Sequence, residues 1–387
     1  MKILYITANP LEYSSSANMR NIALISGLQK LGHEVDSLSA EYNNKSIYSD
    51  KIDLKFNNRY WIKLGTIQSN ISNNIKYNNL IKMKLKNLLY KVYIRLSIYD
   101  PKKNLINYID SSIVDKKYDL IISSSDPKSS HLIAEKIIKL NPEITKKWIQ
   151  YWGDPFSSDI NNKKIIPNKM VKKEEKRLIS LCDKVIYVSP FTLQEQKRIY
   201  SDYKEKMEFL PIPYYKKKIY KETKNERIKI GYFGDYYLKN RNIIPLYETI
   251  KEEKDKELII CGNSDLDLKE YTNIKIMKRQ SSEKIKIIEE NIDILVCVCN
   301  SSGTQIPGKI YHYAATNKPI LIIVDGEYSN DLIEYFTKFN RFILCENNGD
   351  KILEAINKIV QQEYKYKPLE EINARNISEK LLRYVEK

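Results

Sequence analysis

The sequence predicts an α/β protein made of two doubly wound domains facing each other across a cleft. Three observations carry that expectation. Short apolar runs alternate with segments of helical periodicity, the pattern of a parallel sheet with helices on both faces. The alternation breaks at Pro211-Ile212-Pro213 and a lysine-rich stretch to Glu226, then begins again at Ile228. Strand exits are small or polar, and the carboxyl ends of such strands are where these sheets bind ligands.

In order, Ile3 to Ile6 reads as a buried strand. A polar loop, Ala8 to Asn18, leads into a helix with Ile22, Ile25, Leu28 and Leu31 at helical spacing, closed by Gly32, and Gly32-His33-Glu34-Val35 leads into the next strand. Ser16 and Arg20 sit where this helix starts, as a ligand-facing exit or as a polar cap with an exposed arginine. Residues 40–75 are Asn-rich and show no clear element. In 80–96, Ile81, Leu85, Leu88, Leu89, Val92 and Leu96 share one helical face and Lys82, Lys84, Lys86, Lys91 and Arg95 fill the others. That stripe suits an anionic membrane surface, or packing against the sheet. Strands follow at Asp119–Ile122, Trp148–Tyr151 and Lys184–Ser189. After the break they recur in Ile228–Asp235, a strand and then a Gly turn, and at Leu258–Cys261, Ile274–Met277, Ile294–Val298, Ile320–Val324 and Phe342–Cys345. Leu369 to Val385 has helical character.

The loop Gly303-Thr304-Gln305-Ile306-Pro307-Gly308-Lys309 lies between a strand and a short helix. Backbone N–H groups at a helix start, with one lysine, favour phosphate; a plain strand-to-helix turn has the same outline. A formal charge of +16 also favours an anionic partner, although the lysines are scattered along the whole chain. No clustered basic-aromatic motif points to nucleic acid. The five cysteines are odd in number and lack metal-type spacing, which fits a reducing compartment. The N-terminus runs straight into a strand without a signal-peptide pattern, and no apolar run approaches the roughly twenty residues of a membrane span. A cytoplasmic protein is expected, at most peripheral at the inner membrane face.

Taken together, the motifs resemble GT-B glycosyltransferases of the family 4 type, retaining nucleotide-sugar enzymes of bacterial surface polysaccharide synthesis. In the first half the likeness rests on Gly32-His33-Glu34-Val35, Asp100-Pro101, Ser123 to Pro127 with Ser130-His131-Leu132, Trp148-Ile149 with Gly153-Asp154-Pro155, and Cys182 to Ile186. In the second it rests on Gly231, Gly234, Arg241, Cys261-Gly262, Asp293 to Val296, Pro307 to Tyr311 and Lys318-Pro319. The resemblance implies two Rossmann-like domains: 1–212 on the acceptor side and 213–365 binding the nucleotide sugar. Residues 366–387 would form a C-terminal helix packing back toward the first domain.

It also implies roles. Gly234, Arg241, Arg279, Thr304, Gly308, Lys309 and His312 would bind the donor, with Arg241 and Lys309 stabilising charge on the leaving diphosphate. Ser16 and Arg20 would face a glycan or lipid-linked acceptor, and Asp154 and His131 would orient it or handle its proton. A histidine on a helix is, however, commonly a satisfied structural residue. One departure stands out: relatives carry two glutamates eight positions apart, where this chain has Thr304 and His312. No cofactor beyond the nucleotide-sugar substrate and no metal are expected, and Asp265-Leu266-Asp267 is read as a chance match to a metal motif. A nucleotide-sugar 2-epimerase and a non-catalytic nucleotide-sugar-binding subunit are the alternatives.

Overall fold

The computed structural model describes residues 1–42, 53–63, 88, 92–93, 95–160, 164–221, 225–362 and 365–386. Most of the basic stretch 80–96 lies outside these residues; within it Leu88, Val92 and Leu96 are described, and all three are exposed. The chain divides into two compact units, Met1–Pro211 with Ala374–Lys387, and Ile212–Asn373.

The first unit holds seven parallel strands: β1 (Lys2–Ile6), β2 (Glu34–Ala40), β3 (Arg59–Ile62), β4 (Leu120–Ser124), β5 (Trp148–Trp152), β6 (Lys184–Tyr187) and β7 (Met207–Phe209). Their order is β3-β2-β1-β4-β5-β6-β7. The central strands are buried along their length, as a sheet covered on both faces requires. Two strands escaped the sequence pattern: β3 because it is short and adjoins the Asn-rich region, β7 because it has three residues.

The first helix, Ser16–Lys30, is capped by Ser15, whose side chain accepts from Asn18 N at 3.1 Å. It ends at Gly32, whose φ of +83° suits a residue without a Cβ. The C-terminal helix, Ala374–Glu386, packs on it so closely that a Cβ on Gly27 would lie 2.0 Å from Ala374 O. Ser378 Oγ donates to Leu24 O at 3.1 Å across this contact.

The second unit holds β8 (Ile228–Phe233), β9 (Lys256–Cys261), β10 (Ile274–Met277), β11 (Ile294–Val298), β12 (Ile320–Val324) and β13 (Ile343–Glu346). All pair in parallel, in the order β10-β9-β8-β11-β12-β13. Its two ends meet, because Tyr214 N donates to Ile372 O at 3.1 Å and Tyr214 pairs with Asn373. In each unit the strand order reverses beside the first strand, between β1 and β4 and between β8 and β11. The crevice outside the carboxyl ends at such a switch point is where doubly wound sheets take ligands.

Among the described residues no helix is long and apolar enough to cross a membrane.

Candidate functional site

In the second unit, the exits of β8 and β11 gather most of the residues expected to bind a donor. Gly234 follows β8 and donates its N–H to Cys261 O at 2.9 Å. A Cβ on Gly234 would stand 3.3 Å from Lys309 Cε, so this glycine and the lysine stem are in contact. Gly262 matters as much: its Cβ would fall 1.9 Å from Gly234 O, backbone against backbone. Only glycine at 262 lets the β9 exit press against the β8 exit.

Lys309 lies in the six-residue helix Gly308–Tyr313, half-buried. A helix this short adds little dipole, so attraction for an anion falls mainly to the lysine. Burial pushes its pKa below the usual lysine value, and the nearby Lys218 and Arg279 push the same way against Glu289 and Cys297. Arg241 lies at the end of a turn, its N–H donating to Tyr237 O at 2.8 Å. Its Nε donates to Asn300 Oδ1 at 2.8 Å. Among the described residues neither Lys309 nor Arg241 forms an ion pair. Thr304 and Gln305 are buried in the same loop, and Gly303 takes a φ of +77°. His312 is half-buried on the short helix, and Arg279 is exposed beyond β10. Asp265 accepts the Leu238 N–H at 3.3 Å, a turn contact. No cluster of metal-ligating side chains occurs among the described residues.

In the first unit, the exits of β4 and β5 and the first helix bring Arg20, Ser125, Asp126, Lys128, His131 and Asp154 together. Arg20 is not an exposed cap residue: it is 5% exposed. Its guanidinium donates to Ser125 O, stacks over the Tyr151 ring at 5.0 Å, and fills the space a Cβ on Gly153 would need, 2.3 Å from Nη1. Gly153 N in turn donates to Ser125 Oγ at 3.2 Å. Ser16 opens the first helix and is exposed.

Two carboxyls flank this seat. Burial tends to raise Asp126, but its ion pair with Lys128 more than offsets this and holds it below the usual carboxylate range. Asp154 goes the other way: burial, then the charges of Asp126 and Asp159, push it up to about 7. The two carboxyls hydrogen-bond each other, so the pair retains one proton into the neutral range. Asp154 is thus poised to take or give a proton near pH 7.

His131 is placed differently from a proton handler. Its ring has no exposed surface, stacks on Trp152 at 4.5 Å, and shares a 2.8 Å hydrogen bond between Nδ1 and Ser123 Oγ. Ser123 also accepts from Trp148 Nε1 at 2.9 Å. Burial pushes the His131 pKa down to about 3, so the imidazole is neutral and serves to pack the helix Ser129–Leu140 on β4 and β5. Sequence reasoning gave no role to Asn300, to Lys128, or to Asp126 within the Ser123–Pro127 motif. Their signal was position: each lies just past the carboxyl end of a strand beside a switch point.

No family model matches the sequence, and no curated protein sequence matches it. Solved structures do match along its length. HepE of Anabaena in complex with UDP aligns over 100% of both chains at 9% identity with a TM-score of 0.58. The lipopolysaccharide outer core galactosyltransferase WaaB, in its apo form, covers 100% of this chain and 99% of its own at 13% identity and a TM-score of 0.56. UDP-GlcNAc 2-epimerase from Methanocaldococcus jannaschii covers 100% and 99% at 13% identity and a TM-score of 0.50. At these identities the likeness concerns the fold: the chain has the GT-B architecture of two Rossmann-like units, which transferases and epimerases share.

Proposed function

We propose that this protein is a glycosyltransferase that moves a sugar from a nucleotide-sugar donor to a glycan or lipid-linked acceptor in cell-surface polysaccharide synthesis. The observation that carries the reading is the pair of cations at the β8 and β11 exits. Lys309 and Arg241 are both partly withdrawn from water, and neither is neutralised by a carboxylate among the described residues. Withholding cations from water is costly unless an anion completes the site. A diphosphate leaving group is such an anion, and it gains charge as the anomeric carbon becomes oxocarbenium-like.

In this reading Arg241 and Lys309 stabilise the departing diphosphate, and Gly234 and Gly308 allow its close approach. Thr304, His312 and Arg279 bound the rest of the donor, with His312 offering a ring nitrogen to a ribose hydroxyl. The first unit receives the acceptor at Ser16 and Asp154, with Arg20 fixing the Ser125 and Gly153 backbone from beneath. The acceptor proton passes to the leaving phosphate, as retention of configuration allows, or to Asp154. Two protein cations do what a divalent ion does elsewhere, so turnover is expected to survive EDTA. The exposed Leu88, Val92 and Leu96 and the lysines around them in sequence support attachment to an anionic membrane surface.

The test is a panel of UDP-, GDP- and ADP-sugars scored for donor hydrolysis and transfer, with product NMR. Hydrolysis or transfer from one donor is expected. Epimerised donor would favour the 2-epimerase, binding without turnover a non-catalytic subunit, and no binding at all would defeat the donor assignment.

A further inference from the structure

We infer that Asn300 is the positioning residue that fixes Arg241 for the donor diphosphate while leaving its charge free. The inference rests on the donor reading above and adds a residue to it. Asn300 stands two residues past the end of β11 and is 7% exposed. Both halves of its amide are used. Oδ1 accepts from Arg241 Nε at 2.8 Å, and Nδ2 donates to Gln305 O at 2.8 Å. The next residue finishes the fastening, with Ser301 N donating to Asn240 O at 2.8 Å and Ser301 Oγ to Lys239 O at 2.7 Å. One dipeptide thus ties the turn that carries Arg241 to the loop that carries Thr304 and leads to Lys309.

The chemistry of the side chain decides what this accomplishes. A guanidinium meets phosphate best through two parallel N–H donors, and it must be held in orientation beforehand. Asn300 engages Nε alone, which leaves the terminal nitrogens outside that bond. Its oxygen is uncharged, so Arg241 keeps its full charge. An aspartate would grip Nε more strongly but would neutralise the cation before any ligand arrived, and would turn its second oxygen toward the Gln305 carbonyl. An alanine would release both loops. Among simple replacements only the amide fixes the arginine and spares its charge.

The full-length protein is first screened by calorimetry against UDP, GDP and ADP, and the tightest is carried forward with its parent nucleoside as control. Asn300→Asp is expected to weaken the diphosphate at least about tenfold, the scale of one charged hydrogen bond. Nucleoside affinity should stay within about twofold, because the nucleoside carries no charge for Arg241 to meet. In an Arg241→Gln background, Asn300→Asp should cost several-fold less than it does beside Arg241, since the part of the loss that passes through the arginine is already gone. If the aspartate variant does not fold, Asn300→Ala takes its place, and its loss too must shrink in the Arg241→Gln background, down to the part that comes from releasing the Gln305 loop. Equal losses for diphosphate and nucleoside, the same loss with and without Arg241, or wild-type binding by Asn300→Asp would each overturn the inference while leaving the donor reading in place. A wild-type protein that binds none of the three diphosphates overturns both.

Discussion

Replacing Lys309 by methionine should make the empty protein more stable and its donor site worse. The lysine stem lies against Gly234, with Cε 3.3 Å from where a Cβ would be, and methionine keeps most of that packing. What it removes is an ammonium whose pKa is depressed first by burial and then by Lys218 and Arg279. Because the folded value lies below that of the free side chain, the unfolded chain binds more protons between the two. Stability therefore rises with pH across that window, and at neutral pH the charged lysine opposes folding. Removing it should raise the ligand-free melting temperature by about 2–4 °C for each kcal/mol recovered, the scale for a unit of this size. Binding moves the other way. Losing a charged hydrogen bond to a diphosphate costs about 1.5–3 kcal/mol, roughly 10–150-fold in Kd. Thermal melts with and without nucleoside diphosphate, with calorimetry for Kd, read both effects. A variant that binds diphosphate as tightly as the wild type, or that melts lower without ligand, would refute the reasoning.

Asp154→Asn should lower turnover by about a hundredfold or more if Asp154 takes the acceptor proton, and should erase the rise in rate through about pH 7 where Asp154 ionises. Its raised pKa also means that its contribution to stability is full below the ordinary aspartate value and is lost as pH climbs through about 7. In urea titrations the asparagine variant should therefore gain on the wild type between pH 4 and pH 8. Gly27→Ala should push the C-terminal helix off the first helix, costing at least about 1–3 kcal/mol and exposing residues 374–386 to limited proteolysis. Val92→Asp with Leu96→Asp should reduce binding to vesicles containing anionic lipid without changing hydrolysis of soluble donor; unchanged vesicle binding would remove the membrane role.

Most strands were legible because parallel sheets covered on both faces require continuous apolar runs, and Ile294–Val298 and Ile320–Val324 are such runs. The compact units divide between Pro211 and Ile212. β3 was hidden because Arg59 to Ile62 offers four residues beside a polar tract. The candidate site was legible only in part. Glycines and cations at strand exits announce themselves by type, as Gly234 and Lys309 do. The burial of Arg20 and of His131 does not, since it depends on Gly153 and Trp152, which come close only once the sheet is assembled. Asn300 is an ordinary polar residue in the sequence and becomes distinctive only through its two bonds.

The return of residues 374–386 to the first helix has a consequence for synthesis. The first unit is interrupted by the second, so its sheet can form on the ribosome while one face of its first helix still lacks a cover. Meanwhile the second unit, with its ends already paired through Tyr214 and Asn373, is complete before that cover emerges. The later part of the chain can thus finish folding before the earlier part. A nonsense mutation just after residue 373 would leave the second unit whole and strip the cover from the first helix of the unit made first.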